Sequence, residues 1–169
     1  MAEKRYALRV AGPADVEAVT ALLEASYPTL LAGGYAPDVL AATLPLMTKA
    51  NPKLLASGTY YVAEVDGGSL AGCGGWTAEK PGSGEIVPGV GHIRHFGTHP
   101  DWTRRGIASA LLVRCFEDAK ARGVESMEAF ATLSAEGFYR AHGFVAIGPI
   151  DVPMTKDVKL PSLWMRRAI

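Results

Sequence analysis

Residues 99–112 read HPDWTRRGIASALL, and two arginines and a glycine, Arg104, Arg105 and Gly106, stand where an apolar helical stripe begins. A helix N-terminus already carries positive partial charge, so two cations there are unfavourable unless an anion meets them. Gly106 lets the chain turn tightly at the helix entry, and Ala108 is small enough for a ligand to approach the first turn. The free N–H groups of that turn, with the dipole behind them, form an anion site. The two guanidinium groups add charge-assisted donors. The chemistry implied is the binding of a phosphate-bearing ligand. TRRGIA lacks the G-x-G-x-x-G order of a dinucleotide fingerprint, and no P-loop ending in Gly-Lys-Ser/Thr occurs. An ordinary strand–helix turn with solvated arginines fits the same few residues.

Other side chains able to do chemistry are few. His92, His95 and His99 fall in the strand-like HIRHFGTH. A regular strand points His92 away from the other two, and His99 lies at its end, so the three make no metal site. Cys73 and Cys115 lie in apolar strand-like and helix-like contexts and read as small buried hydrophobes.

The elements that position these residues are legible in the periodicity. KRYALRV reads as a first strand, and GPADVEAVTALLEASY as a helix with Val16, Val19, Leu22 and Leu23 on one face. APDVLAATL is a second helix, interrupted at Pro45. NPKLLASG is a short third one with Asn51 as cap and Pro52 at its first position. TYYVAEVDGGSLAGCGGWT is a hairpin around Asp66-Gly67-Gly68, and EKPGSGEIVPGVG is a loop. After HIRHFGTH comes the best helix, with Ile107, Ala108, Leu111, Leu112, Cys115 and Ala119 as its stripe. ESMEAFAT, SAEGFYRAHG, FVAIGP and LPSLWMRR then read as strand, helix, strand and strand. This order predicts an α/β fold: one mixed sheet with helices on both faces.

Bulk properties narrow the function. The 169 residues suit one domain with a real core. Lys plus Arg and Asp plus Glu number 17 each, for a formal net charge of zero. That argues against a dedicated binder of nucleic acid or membrane surfaces, and against a toxin acting on charged tRNA. MAEKRYALRV has no apolar core of signal-peptide length, and no run approaches the roughly 18 apolar residues of a membrane span. A cytoplasmic location is expected, with neither nucleic acid nor membrane as a partner.

Two segments resemble a known family. HFGTHPDWTRRGIASALLVRCFEDAKARG resembles motif A of the GNAT superfamily of N-acetyltransferases. SAEGFYRAHGF resembles the superfamily's next segment, where a helix carries Phe-Tyr before Gly-Phe. They span residues 95–144 in the right order and spacing. The resemblance implies a single GNAT domain over residues 1–169, with a mixed, mostly antiparallel sheet splayed at its centre. It implies acetyl-CoA as co-substrate, with no metal, in a V-shaped gap where strand 92–98 parts from strand 125–131. Backbone groups of Phe96 and Thr98 would pair with the pantetheine arm, and an N–H around Phe96, Gly97 or Thr98 would face the thioester oxygen. The amides of Arg104, Arg105, Gly106, Ile107, Ala108 and Ser109 would cradle the pyrophosphate. Thr103 departs from the usual Gln or Arg, leaving that contact to the neighbouring arginines. Ser134 replaces the Asn often found before Phe-Tyr, and its hydroxyl still suits a cap or a bond to the cofactor arm.

By the same resemblance Tyr139 is the general acid for the departing thiolate. His92 falls where histone acetyltransferases of the superfamily carry a catalytic Glu, so it is the first candidate base. His95 and a water chain are the alternatives. Tyr27, Leu30, Leu31 and Tyr35 lie where the family roofs its acceptor site. Core packing, or a contact in a homodimer, is the reading these residues favour over a pocket wall. Trp76 either lines the acceptor side or packs in the sheet. The expected activity is acetyl transfer from acetyl-CoA to a primary amine, on a small molecule or a peptide, by direct attack in a ternary complex. The alternative is a non-catalytic acyl-CoA-binding sensor or interaction module on the same fold.

Overall fold

Among the described residues seven strands form one sheet in the order β1-β2-β3-β4-β5-β7-β6. The computed structural model describes residues 5–169. Strand β1 (Tyr6–Val10) leads into helices α1 (Val16–Leu31), α2 (Pro37–Met47) and α3 (Pro52–Leu55). Strands β2 (Tyr60–Val65), β3 (Leu70–Thr77) and β4 (Val90–Thr98) follow. Then come α4 (Ile107–Ala121), β5 (Ser126–Thr132), α5 (Glu136–Ala141), β6 (Val145–Pro153) and β7 (Lys159–Ala168). Every neighbouring pair is antiparallel except β4 and β5. The mixed, mostly antiparallel sheet with helices on both faces is the architecture expected.

The two faces bury two cores. Ile107, Leu111, Leu112, Cys115 and Ala119 of α4 are fully buried against Tyr61, Ala63, Trp76 and Met127. On the other face Val19, Leu22, Leu23, Tyr27 and Leu31 of α1 cover Tyr60, Val62 and Cys73. Alternation along β2 divides the strand between the two, Tyr60 and Val62 one way and Tyr61 and Ala63 the other. Each buried Leu or Ile contributes about 1.5–3 kcal/mol, so the stripes rather than local propensity hold the helices down.

Two helices run further than the sequence reading expects. α1 carries Pro28 inside it and continues to Leu31, and α2 passes through Pro45 to Met47. A proline removes one ladder bond per helix. Burial of Leu31 beyond Pro28 offsets that loss. Tyr27, Leu30 and Leu31 therefore belong to a helix, not a loop. Trp76 packs in the sheet, buried, with its indole N–H donating to Asp118 at 3.2 Å.

The sheet opens at its centre. β4 pairs with β5 only over Val90–His92 against Ser126–Glu128, and beyond that the strands part. At the same level β4 carries a bulge: Gly75 pairs with Arg94 and Cys73 with Gly97, so His95 and Phe96 together oppose Gly74. His95 sits at φ 54°, in the left-handed region that non-glycine residues rarely enter. A Cβ on Gly74 would come within 2.5 Å of the Phe96 ring. The bulge is thus built around a residue with no side chain on β3.

Candidate active site

The bulge decides which side chains meet. A regular strand would send His95 to the face opposite His92. The extra residue instead turns His95 towards α1 and α2, where its Nε2 lies 2.6 Å from the Met47 carbonyl and its ring lies 5.7 Å from that of Tyr27. This corrects the sequence expectation. Arg94 and His95 become neighbours on one face, and Phe96 points to the other, beside Phe138 at 6.5 Å.

One large cavity, about 930 Å³, runs through the opening between β4 and β5. Tyr27, Leu30 and Met47 line it on the α1–α2 side, and Gly106, Ser109 and Tyr139 on the α4–α5 side. Ile93 to Thr98 run along its middle. It joins the glycine turn to the gap in the sheet.

The turn has the form of an anion cradle. Gly106 caps α4 in the left-handed conformation at φ 78°, and Arg104 also has positive φ, at 59°. The first intrahelical bond runs from the Ala110 amide to the Gly106 carbonyl at 2.9 Å. The amides before it have no partner within the helix. Thr103 closes the loop, its hydroxyl donating to the Pro100 carbonyl at 3.1 Å. Arg104 borders the cavity, but Arg105 does not: its guanidinium lies over the Trp102 ring at 4.8 Å. The Ser109 hydroxyl lies 2.9 Å from Nε2 of His142, a residue the sequence reading passed over.

The open edge of β4 is already engaged. Tyr27 donates its hydroxyl to the Phe96 carbonyl at 2.8 Å, and the Thr98 amide donates to Ser26 Oγ at 3.1 Å. These are the two groups expected to face a pantetheine arm. A carbonyl has a second lone pair to share, whereas an amide has one proton, so a ligand must take the Thr98 N–H from Ser26.

Tyr139 borders the cavity and packs against Phe138 and Phe144 at 5.2 Å each. Burial pushes its phenol pKa well above 10, so it holds its proton at neutral pH. Ser134 also borders the cavity, in a 3-10 turn where its Oγ lies close to Gly34.

His92 is placed differently from the expectation for a base touching substrate. It is buried, does not border the cavity, and has Nδ1 3.8 Å from Glu128 while Nε2 has no partner among the described residues. His95 does border the cavity. A carbonyl only accepts, so the bond to Met47 places the proton on Nε2 and leaves Nδ1 as the basic nitrogen. Burial lowers the His95 pKa below the ordinary 6.5, the Met47 bond works against this, and Arg94 reinforces it. His99 caps the next turn, accepting from the Asp101 amide. Cys73 and Cys115 are fully buried, and burial pushes the Cys73 thiol up to about 12. Among the described residues no helix is long and apolar enough to cross a membrane.

Residues 56–146, just over half of the chain, match the acetyltransferase (GNAT) domain family. No curated protein matches the chain in sequence. Among solved structures, a GCN5-related N-acetyltransferase from Rhodopseudomonas palustris superposes with a TM-score of 0.76 at 22% identity, over 100% of this chain and 99% of that one. The PaiA N-acetyltransferase of Thermoplasma acidophilum, solved with coenzyme A, gives 0.68 at 14% identity, over 97% and 99%. A GCN5-related N-acetyltransferase from Kribbella flavida gives 0.63 at 20%, over 99% and 100%. At these identities the likeness is one of fold. The family match takes in the glycine turn, the parting strands and the Tyr139 helix, and on its extent the chain belongs to the GNAT acetyltransferase family.

Proposed function

We propose that the protein transfers acetyl from acetyl-CoA to a primary amine by direct attack in a ternary complex. Family membership supports acyl transfer from an acyl-CoA. The observation that carries the finer reading is the continuity of one cavity from the amides at the α4 turn, which have no partner within the helix, to Tyr139.

The residues present fit such a co-substrate. The amides around Gly106, with Arg104 beside them, hold the pyrophosphate. Phe96 and Thr98 pair with the amide-bearing arm once Ser26 yields the Thr98 N–H. Coenzyme A supplies an activated acyl group and a thiolate leaving group; the protein orients the partners and moves protons. His95 takes the proton of the attacking amine on Nδ1. This role moves from His92 to His95 because only His95 borders the cavity. Tyr139 gives its proton to the departing sulfur. Neither buried cysteine is placed to carry an acetyl group.

The test is thiol release from acetyl-CoA in the presence of a panel of primary amines, with the acetylated amine identified by mass. Amine-dependent release supports the reading. Tight acetyl-CoA binding without transfer to any amine marks a non-catalytic acyl-CoA module instead.

A further inference from the structure

The cavity wall carries a cation with no ion-pair partner among the described residues. Arg94 lies on β4 beside His95, half-buried and bordering the cavity. Its guanidinium offers five N–H donors. One of them bonds within the protein, Nη1 to Thr77 Oγ1 at 3.0 Å. Among the described residues Arg94 forms no ion pair; exposed Glu79 acts on it only through space. A partly buried charge without a partner is costly.

Among the described residues no Asp or Glu borders the cavity. Glu128, on the same face of the sheet, is held by His92 and Arg166 at 3.8 and 3.7 Å. Among the described residues the charges bordering the cavity are Lys49, Arg94 and Arg104, and Lys80 stands close by, over the Phe130 and Trp164 rings at 5.8 and 5.7 Å. A chain of zero net charge thus presents a positive cavity.

Arg94 is also on the side away from the glycine turn. Alternation along β5 sends Met127, Ala129 and Ala131 to the α4 core and Phe130 to the opposite face. Arg94, its bond running to Thr77, shares that opposite face with His95, and Leu30, Leu46, Met154 and Leu160 surround the space with apolar surface.

We infer that the acceptor is a small amine bearing its own anionic group on an apolar body, and that Arg94 binds that anion and so determines specificity. This rests on the acetyl-transfer reading above. A carboxylate or a phosphonate supplies the missing counter-charge. The bulge sets Arg94 and His95 on the same face of β4, both bordering the cavity, so an acceptor whose anion meets Arg94 lies on the His95 side of the sheet. Polyamines and lysine-rich peptides meet like charge here.

The experiment compares phenylalanine and leucine with phenethylamine and isoamylamine, their 1-aminophosphonate analogues, and spermidine. In the parent, kcat/KM for the anionic amines exceeds that for the matching plain amines by roughly ten- to a hundredfold, the size of a hydrogen bond to a charged group. Arg94→Gln brings that ratio to about one, through KM, and Arg94→Lys restores part of it. Carboxylate and phosphonate arms tell which anion the site takes. A parent that prefers plain amines or spermidine, or an Arg94→Gln ratio equal to the parent's, overturns the inference. Calorimetry with N-acetylphenylalanine and N-acetylleucine on the CoA-loaded protein separates the two readings. Binding by the parent and not by Arg94→Gln upholds the anion site even if no amine is acetylated, in which case the transfer reading alone fails. No binding together with no preference overturns the anion site.

Discussion

Tyr139 and His95 share a property that arises from burial and suits the proton transfers proposed for them. Burial holds the phenol protonated and the imidazole neutral at pH 7, one ready to give a proton and the other to take one. Tyr139→Phe removes only the hydroxyl and keeps the packing on Phe138 and Phe144. Loss of a general acid costs about 10²–10⁴ in rate. kcat should fall by that much while acetyl-CoA affinity, by calorimetry, and the melting temperature stay near the parent's. Turnover within about threefold of the parent would falsify the assignment. For His95 the sign follows from its depressed pKa: it is a base above that value and is lost as pH falls through it. The acid limb of kcat/KM for the parent should therefore lie below pH 6.5. His95→Gln keeps an N–H for Met47 and removes the basic nitrogen. Its deficit should be large at pH 7 and smaller at pH 9, where more of the amine is already neutral. A deficit that is constant across that range points to a water chain as the base.

At the scale of elements, the proposed function rests on the turn into α4 and the bulge in β4. Both depend on backbone conformations that side chains resist. At Gly106 the φ of 78° is one that L residues adopt only with strain, and a side chain there would stand among the unpartnered amides. Gly106→Glu adds a carboxylate at the same place. Acetyl-CoA binding measured by calorimetry should weaken at least tenfold, with circular dichroism unchanged. Unchanged affinity in a folded variant would remove the turn from the cofactor site. The sequence pointed to this turn because glycine, arginine and an apolar stripe occur together. It gave no sign of the bulge, because HIRHFGTH reads as plain alternation and the registry with β3 is a property of two strands.

Across the whole molecule the cavity touches both cores. α1 and α2 reach it from one face, α4 and α5 from the other, and β6 and β7 close one end. A ligand that fills it ties these parts together in the folded state only. At a hundred times its dissociation constant, acetyl-CoA should add about 2.7 kcal/mol of stability. For a domain of this size that is a rise of roughly 5–10 °C in melting temperature. Gly106→Glu should show little of it. A parent whose melting temperature does not move at that saturation does not bind the ligand in this cavity.

From its residues alone the chain determined the alternation of strands and helices, the apolar stripe of α4, the glycine turn at Gly106, the helix that carries Tyr139 and the burial of its cysteines. These are local: each is set by the period of the apolar positions, by a glycine's freedom or by a motif on one segment. Tertiary structure decided the rest. It took α2 through Pro45, with partly buried Leu44 and Met47 on either side of the proline packing against the core. It set Ser26 and Tyr27 on the open edge of β4, residues some seventy positions apart in sequence. It turned His95 onto the face of Arg94 and left His92 buried beside Glu128. Side-chain direction in a strand follows from its register with its neighbours, and one inserted residue reverses it.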